Sequence, residues 1–166
     1  MEKPSTLSDD EALEMVRCFF DSGLTGPVDE IEGQRSSNDF FSYIVGGLIK
    51  VDNVRRGSVL CHFTVVPSVT NIFKGLHGGI AASVSERISY ACARTVVGED
   101  RSVFLGELAV SYLASAVVDD EVAVEGTVMR SGRSLTVVAC EFKVKKTGKL
   151  IYSSRATLYH MPPSSL

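Results

Sequence analysis

The sequence predicts an α+β fold: a strongly curved antiparallel sheet wrapped around one long helix. Three observations predict it. Beyond residue 40 most of the chain reads as strand, in apolar and β-branched runs parted by turn-like segments. One long helical pattern, 76–96, interrupts those runs. Its apolar stripe can be buried only against the sheet.

The elements follow in order. Ser8-Asp9-Asp10-Glu11 is a capping box with acids in the first turn, and announces a first helix. Leu13, Val16, Phe19 and Phe20 recur at helical spacing, and Gly23 ends it. The polar, Gly/Ser-rich stretch 21–38 reads as a loop. Residues 40–54 and 57–66 flank a turn-like segment at 53–57 and are expected to pair as a hairpin. Within 76–96, Leu76, Ile80, Val84 and Ile88 recur every four residues with Ala81, Ala91 and Cys92 beside them, which marks the sheet-facing side. Four β-rich runs follow, at 102–115, 120–130, 134–146 and 149–160, with hairpin-length connections at 130–134 and 146–149. No internal repeat is present. The chain is long enough for one sizeable core, and divides into an N-terminal helix and loop (1–38), a single domain (39–161) and a short tail (162–166).

Composition excludes several function classes. The chain is 45% apolar and 22% charged with net charge −3, and its basic residues are scattered, so it has no nucleic-acid footprint. Small clusters at Arg55-Arg56, Arg130/Arg133 and Lys143/Lys145/Lys146 suit a phosphorylated ligand rather than a duplex. No apolar run approaches the ~20 residues of a membrane span. The acidic N-terminus has neither the apolar segment of a signal peptide nor the Arg-rich character of a transit peptide. Four dispersed cysteines, Cys18, Cys61, Cys92 and Cys140, form no C-x-x-C pair, so no metal or redox cofactor is expected and reduced, cytoplasmic thiols are. The terminal Ser-Ser-Leu has the outline of a peroxisomal signal without the central Lys of S-K-L, so it reads either as that address or as an ordinary tail.

Chemistry concentrates in 71–88, Asn-Ile-Phe-Lys-Gly-Leu-His-Gly-Gly-Ile-Ala-Ala-Ser-Val-Ser-Glu-Arg-Ile. Gly78 and Gly79 fall in the first turn of the predicted helix. Glycine there lowers helix propensity by roughly 1 kcal/mol per residue relative to alanine, but leaves backbone N–H groups unobstructed at the positive end of the dipole. The pair serves either an anion or oxyanion site, or close helix–sheet packing. His77 reads as a cap or as a site residue, and Asn71 as a loop residue. Glu86 lies nine residues after His77. At ~100° and ~1.5 Å per residue the two are half a turn apart in projection and about 13 Å apart along the axis. They do not converge within one chain. If both act on one substrate, a second copy of the helix, antiparallel across a two-fold axis, must supply one of them, which implies a homodimer. Alternatively Glu86 marks a solvent face with Ser83, Ser85, Arg87 and Ser89. Other chemistries find no support. There is no G-x-S-x-G elbow, dinucleotide fingerprint, Walker loop or metal-spaced His pair, and Cys61 and His62 are strand neighbours on opposite faces.

The combination of Asn71, Leu76-His77-Gly78-Gly79 through Ser89, residues 105–116 and residues 128–151 resembles the hotdog-fold acyl-CoA thioesterases, specifically the PaaI-type group of small thioesterase-superfamily members. The resemblance covers roughly residues 40–160, with the first helix as an extension. It implies a hotdog fold, acyl-CoA as substrate, no cofactor or metal, and a homodimer or dimer of dimers. Carried over by position, it implies that the Gly78 N–H holds the thioester oxyanion, that His77 contacts or orients that region, and that Asn71 positions water or carbonyl. Glu86 from the facing subunit would then be general base or nucleophile. Gly79, Leu105 and Gly106 would contact substrate; Arg130 and Arg133, around the Gly132 turn, either meet the CoA phosphates or belong to a solvated hairpin. Phe40, Phe41, Tyr43 and Ile44 would line the acyl pocket or the core. One departure stands out: relatives carry Ser or Thr on the strand after the helix, where this chain has Leu105-Gly106, unless Ser111 or another group supplies the hydroxyl. A non-catalytic acyl-CoA-binding module and a hotdog hydratase or dehydratase are the competing readings; the first would be expected to lose the acid at 86, and the helix-start signature of the second is absent.

Overall fold

The computed structural model describes residues 8–21, 45–98 and 101–161. Helix α1, Asp9–Asp21, begins on the expected reciprocal cap. The Ser8 hydroxyl accepts from the Glu11 N–H at 3.3 Å, while Glu11 Oε2 accepts from the Ser8 N–H at 2.8 Å. The Ser8 N–H, and with it the Ser8 hydroxyl at 2.9 Å, donates to the Glu11 carboxylate and holds it below the usual carboxylate range. Ala12 and Val16 bury the inner face of α1 against the core. The Phe19 and Phe20 side chains, Gly23, the 22–38 loop and the Phe40, Phe41, Tyr43 and Ile44 stripe lie outside the described residues.

The strand expected over 40–54 is in fact shorter. Residues 45–48 form a helical turn, and β1 covers only Lys50–Arg55. Gly46 and Gly47 explain the difference: a strand gains nothing from positions without side chains to pack, whereas one helical turn puts Val45 and Ile49 on the same side, and both are buried. Strand β2, Ser58–Thr64, pairs with β1. Ser58 already faces Arg55, so Arg56 and Gly57 alone make the turn, with Gly57 at φ 79° where a side chain would be strained.

The remaining strands are β3 (Val103–Tyr112), β4 (Glu121–Ser131), β5 (Leu135–Val144) and β6 (Leu150–His160). All pair antiparallel in the order β1-β2-β4-β5-β6-β3, so β3 is an edge strand reached by a long crossover from β2. That crossover contains a 3₁₀ turn (Pro67–Val69) and helix α2, Gly78–Arg94. Period-two burial runs along β2, β4 and β5, with every second side chain turned to the helix.

Ile80, Ala81, Val84, Ile88, Ala91 and Cys92 of α2 are buried, as the four-residue stripe predicts. Leu76 belongs to the stripe only in sequence. It precedes the helix in an extended bridge to Thr70, buried all the same. Phe63, Phe142, Ile88, Ile151 and Leu158 form the centre of the core. Helix and sheet pack tightly at Gly126, where an added Cβ would lie 2.5 Å from Ile88 Cγ2 and 2.7 Å from Cys92 Sγ. Ser85 and Ser89 are fully buried against this sheet, beside Cys140, so they do not share a polar solvent face with Glu86. Their hydroxyls are satisfied locally, Ser85 by the Ala81 carbonyl at 2.9 Å and Ser89 by Cys140 at 3.6 Å.

Candidate active site

The loop from Val69 to His77 folds back on itself before α2 starts. His77 N–H donates to the Val69 carbonyl at 2.9 Å, and Asn71 N–H to the Gly75 carbonyl at 2.8 Å. Asn71 Oδ1 accepts from the N–H groups of Phe73 (2.9 Å) and Gly75 (3.2 Å). That Asx-type bonding holds the turn, in which Lys74 sits at φ 61°. The side-chain oxygen of Asn71 is thus committed to its own loop. Only its amide N–H groups remain for a ligand.

His77 is the N-cap of α2. Its Nδ1 accepts from the Gly79 N–H at 3.0 Å, so this nitrogen carries no proton and Nε2 does. The N–H groups of Ile80 and Ala81 donate to the His77 carbonyl at 3.0 and 3.2 Å. Of the first amides of α2, therefore, Gly79, Ile80 and Ala81 are bonded. Gly78 alone has no acceptor among the described residues. A cap that satisfies its neighbours and spares this one leaves a single N–H at the positive end of the helix for a partially negative oxygen. At 79 an added Cβ would sit 3.2 Å from His77 Nδ1, the atom that caps this residue's own N–H, so the glycine leaves room for the cap.

Glu86 stands half-buried on the less covered side of α2, together with Ser83, Arg87 and Tyr90. Nine residues of uninterrupted helix separate it from His77, roughly 13 Å of rise. One chain does not bring them together. Tyr90, one turn beyond Glu86, accepts from the Leu105 N–H at 2.8 Å, and this ties Leu105 and Gly106 of β3 to the Glu86 side of the helix. Ser111 does not replace the hydroxyl missing at 105. It lies on the opposite face of β3, opposite Ser153, in a groove of about 630 Å³ lined also by Glu107 and Arg155 and turned away from α2. Tyr90 is the hydroxyl on the helix side. Sequence reasoning misses it, because nothing local marks a tyrosine in the middle of a helix.

Gly106 falls at a β-bulge between Leu105 and Glu107, and a side chain there would run into the Tyr159 ring, which stacks on Phe104 at 5.6 Å. Arg130 and Arg133 are exposed on the β4–β5 hairpin. Arg101 donates to the Arg133 carbonyl at 3.0 Å, and Arg94, in the last turn of α2, to the Arg101 carbonyl at 2.7 Å. The hairpin thus sits at the C-terminal end of α2, the far end from Gly78. Arg55 and Arg56 are exposed at the β1–β2 turn on the same end, where Val128 N–H donates to the Gly57 carbonyl. Around the Gly78 end several large apolar side chains are exposed, Ile72, Phe73, Tyr112, Leu113 and Val117, with Lys74 among them.

The family model of the thioesterase superfamily matches residues 73–151. A Caenorhabditis elegans protein named as an esterase is 32% identical over 109 residues, which span 66% of this chain and 64% of that protein, just under two thirds of its length. Human acyl-coenzyme A thioesterase 13 is 26% identical over 111 residues, 67% of this chain and 79% of that one. The crystal structure of zebrafish thioesterase superfamily member 2 superposes with TM-score 0.71 at 19% identity, over 93% of this chain and 99% of that one, a likeness of fold. With its antiparallel sheet packed on one long helix, and His77-Gly78-Gly79 opening that helix, this chain has the hotdog fold and over residues 73–151 is similar to the thioesterase superfamily.

Proposed function

We propose that the protein hydrolyses acyl-CoA thioesters as a homodimer with composite sites. The observation that carries this reading is the one amide at the start of α2, Gly78, left without an acceptor by a cap that satisfies the others. Glu86 of a facing α2 takes a proton from water. The resulting hydroxide adds to the thioester carbonyl, and the oxygen that becomes negative is held by the Gly78 N–H. Collapse breaks the C–S bond, and the thiolate of CoA leaves and recovers the proton.

Two features support a second copy. Gly78 and Glu86 are too far apart along one helix to act together. The arginines lie at the opposite end of α2 from Gly78, and an antiparallel partner would bring its own Gly78 toward them, so that Arg130 and Arg133 meet the CoA phosphates. The exposed Ile72, Phe73, Leu113 and Val117 are the kind of apolar rim that a subunit or an acyl chain covers. Assembly of such dimers in pairs, and residence in the cytoplasm or in peroxisomes, belong to the same proposal.

Thiol release from short, long and aromatic acyl-CoAs, read colorimetrically beside Glu86→Ala, tests it. The exposed Cys18 contributes a constant background to subtract. Turnover that falls at least ~100-fold in the variant, with the dimer intact, is expected. Equal rates would remove Glu86 from the mechanism, and acyl-CoA binding without turnover in the wild type would make this a binding module.

A further inference from the structure

The Tyr112 hydroxyl donates to the Gly78 carbonyl at 3.1 Å. Its ring lies against the same residue, so that a Cβ on Gly78 would sit 3.1 Å from Cε1. That carbonyl belongs to the peptide joining Gly78 to Gly79, whose N–H donates to His77 Nδ1 at 3.0 Å. One peptide plane is therefore held from both sides, by Tyr112 at its oxygen and by His77 at its nitrogen. Tyr112 is in turn braced edge-on by the buried Tyr152, with ring centres 5.4 Å apart at 73°. Tyr152 donates to the Leu76 carbonyl at 3.4 Å. Two tyrosines thus grip carbonyls on either side of His77, one upstream and one downstream.

Such a grip is more than the fold needs at this place. Tyr112 is 55% exposed and adds little to the core, while the turn it touches begins with two consecutive glycines, the residues that restrain a backbone least. A donor to a developing oxyanion is effective only when it is already aimed before the charge appears.

We propose that Tyr112 is a positioning residue of the thioester site. Its hydroxyl locks the first turn of α2, so that the Gly78 N–H points at the substrate oxygen and His77 keeps Nδ1 as an acceptor. This rests on the reading of Gly78 as the oxyanion donor.

Tyr112→Phe in the full-length chain keeps the ring and removes only the hydroxyl. With an acyl-CoA turned over by the wild type, kcat is expected to fall about tenfold, less than the loss of a whole oxyanion donor. KM should change less than twofold and the melting temperature hardly at all. A lowered melting temperature with kcat unchanged would reduce Tyr112 to a structural contact and overturn the proposal. Amide hydrogen exchange gives a second readout that needs no turnover. The Gly79 amide should exchange several-fold faster in Tyr112→Phe, because the hydrogen bond that Tyr112 donates to the carbonyl of its peptide is gone. If no acyl-CoA is hydrolysed by the wild type, the proposed function fails, and the exchange rate alone decides whether Tyr112 holds this turn. Unchanged exchange at Gly79 would sink the proposal whatever the kinetics.

Discussion

Gly126→Ala asks how closely α2 must approach the sheet for the fold to hold. The added Cβ would lie 2.5 Å from Ile88 Cγ2 and 2.7 Å from Cys92 Sγ. Both neighbours are on a buried helix face, and both are fully enclosed. Neither is the loose end of a long side chain that can swing aside. To restore an ordinary separation of about 3.5 Å, the middle of the helix must rise by roughly 1 Å. Overpacking of that kind costs about 1–3 kcal/mol. Against it stands the gain from replacing a glycine where the backbone suits alanine, about 0.4–1 kcal/mol through the unfolded chain. The clash outweighs that gain, so a net loss is expected. At ~2–4 °C per kcal/mol for a domain of this size, melting should fall by several degrees. Thermal unfolding followed by circular dichroism measures it. Cys92→Ala removes one of the two obstructing atoms, so in the double variant the loss should be smaller than the two single losses added, by at least ~0.5 kcal/mol. A Gly126→Ala protein as stable as the wild type, or more stable, would refute the claim that this glycine sets the helix–sheet distance.

Gly78→Ala keeps the amide but sets a Cβ 3.1 Å from the Tyr112 ring, so the contact between that ring and the helix start must give; kcat/KM should fall about tenfold, less than for removal of the donor itself, with melting nearly unchanged, and full activity would show that turnover does not depend on an unobstructed Gly78. Burial raises the thiols of Cys61, to about 12, and of Cys92 and Cys140. The folded chain keeps these protons when the unfolded chain has lost them, so the thiols favour folding fully below the ordinary thiol range, and stability should fall as pH rises from about 8.5 toward 12, by up to ~1.4 kcal/mol per unit for each thiol. Denaturant midpoints at pH 7.5 and 9.5 measure it, and a flat profile would contradict the burial. In the native protein at pH 8 only Cys18, of the four, should react quickly with a thiol reagent.

Much of the fold was legible because its signals are local. The Ser8–Glu11 cap, the four-residue stripe of α2 and the β-rich runs of β3 to β6 each state an element through neighbours within a few residues. The shortened β1 was not legible, since two glycines remove the side chains on which a strand assignment rests, and the burial of Val45 and Ile49 that favours a helical turn depends on what packs over them. Ser85 and Ser89 misled for the same reason. Serine in a helix looks like a solvent face until a cysteine of a distant strand, Cys140, is placed against it.

The sequence by itself determined the element order, the residues of the helix start and the separation of His77 from Glu86, because helical rise converts residue count directly into distance. Only the tertiary structure decided which amide of that start is free, that Asn71 spends its oxygen on its own turn, that Tyr112 and Tyr90 reach the helix from or toward β3, and that the arginines lie at the far end of α2. The two tyrosine contacts join residues 15 and 34 positions apart across the sheet and helix, and no local pattern encodes a hydrogen bond whose two partners meet only after the core has closed.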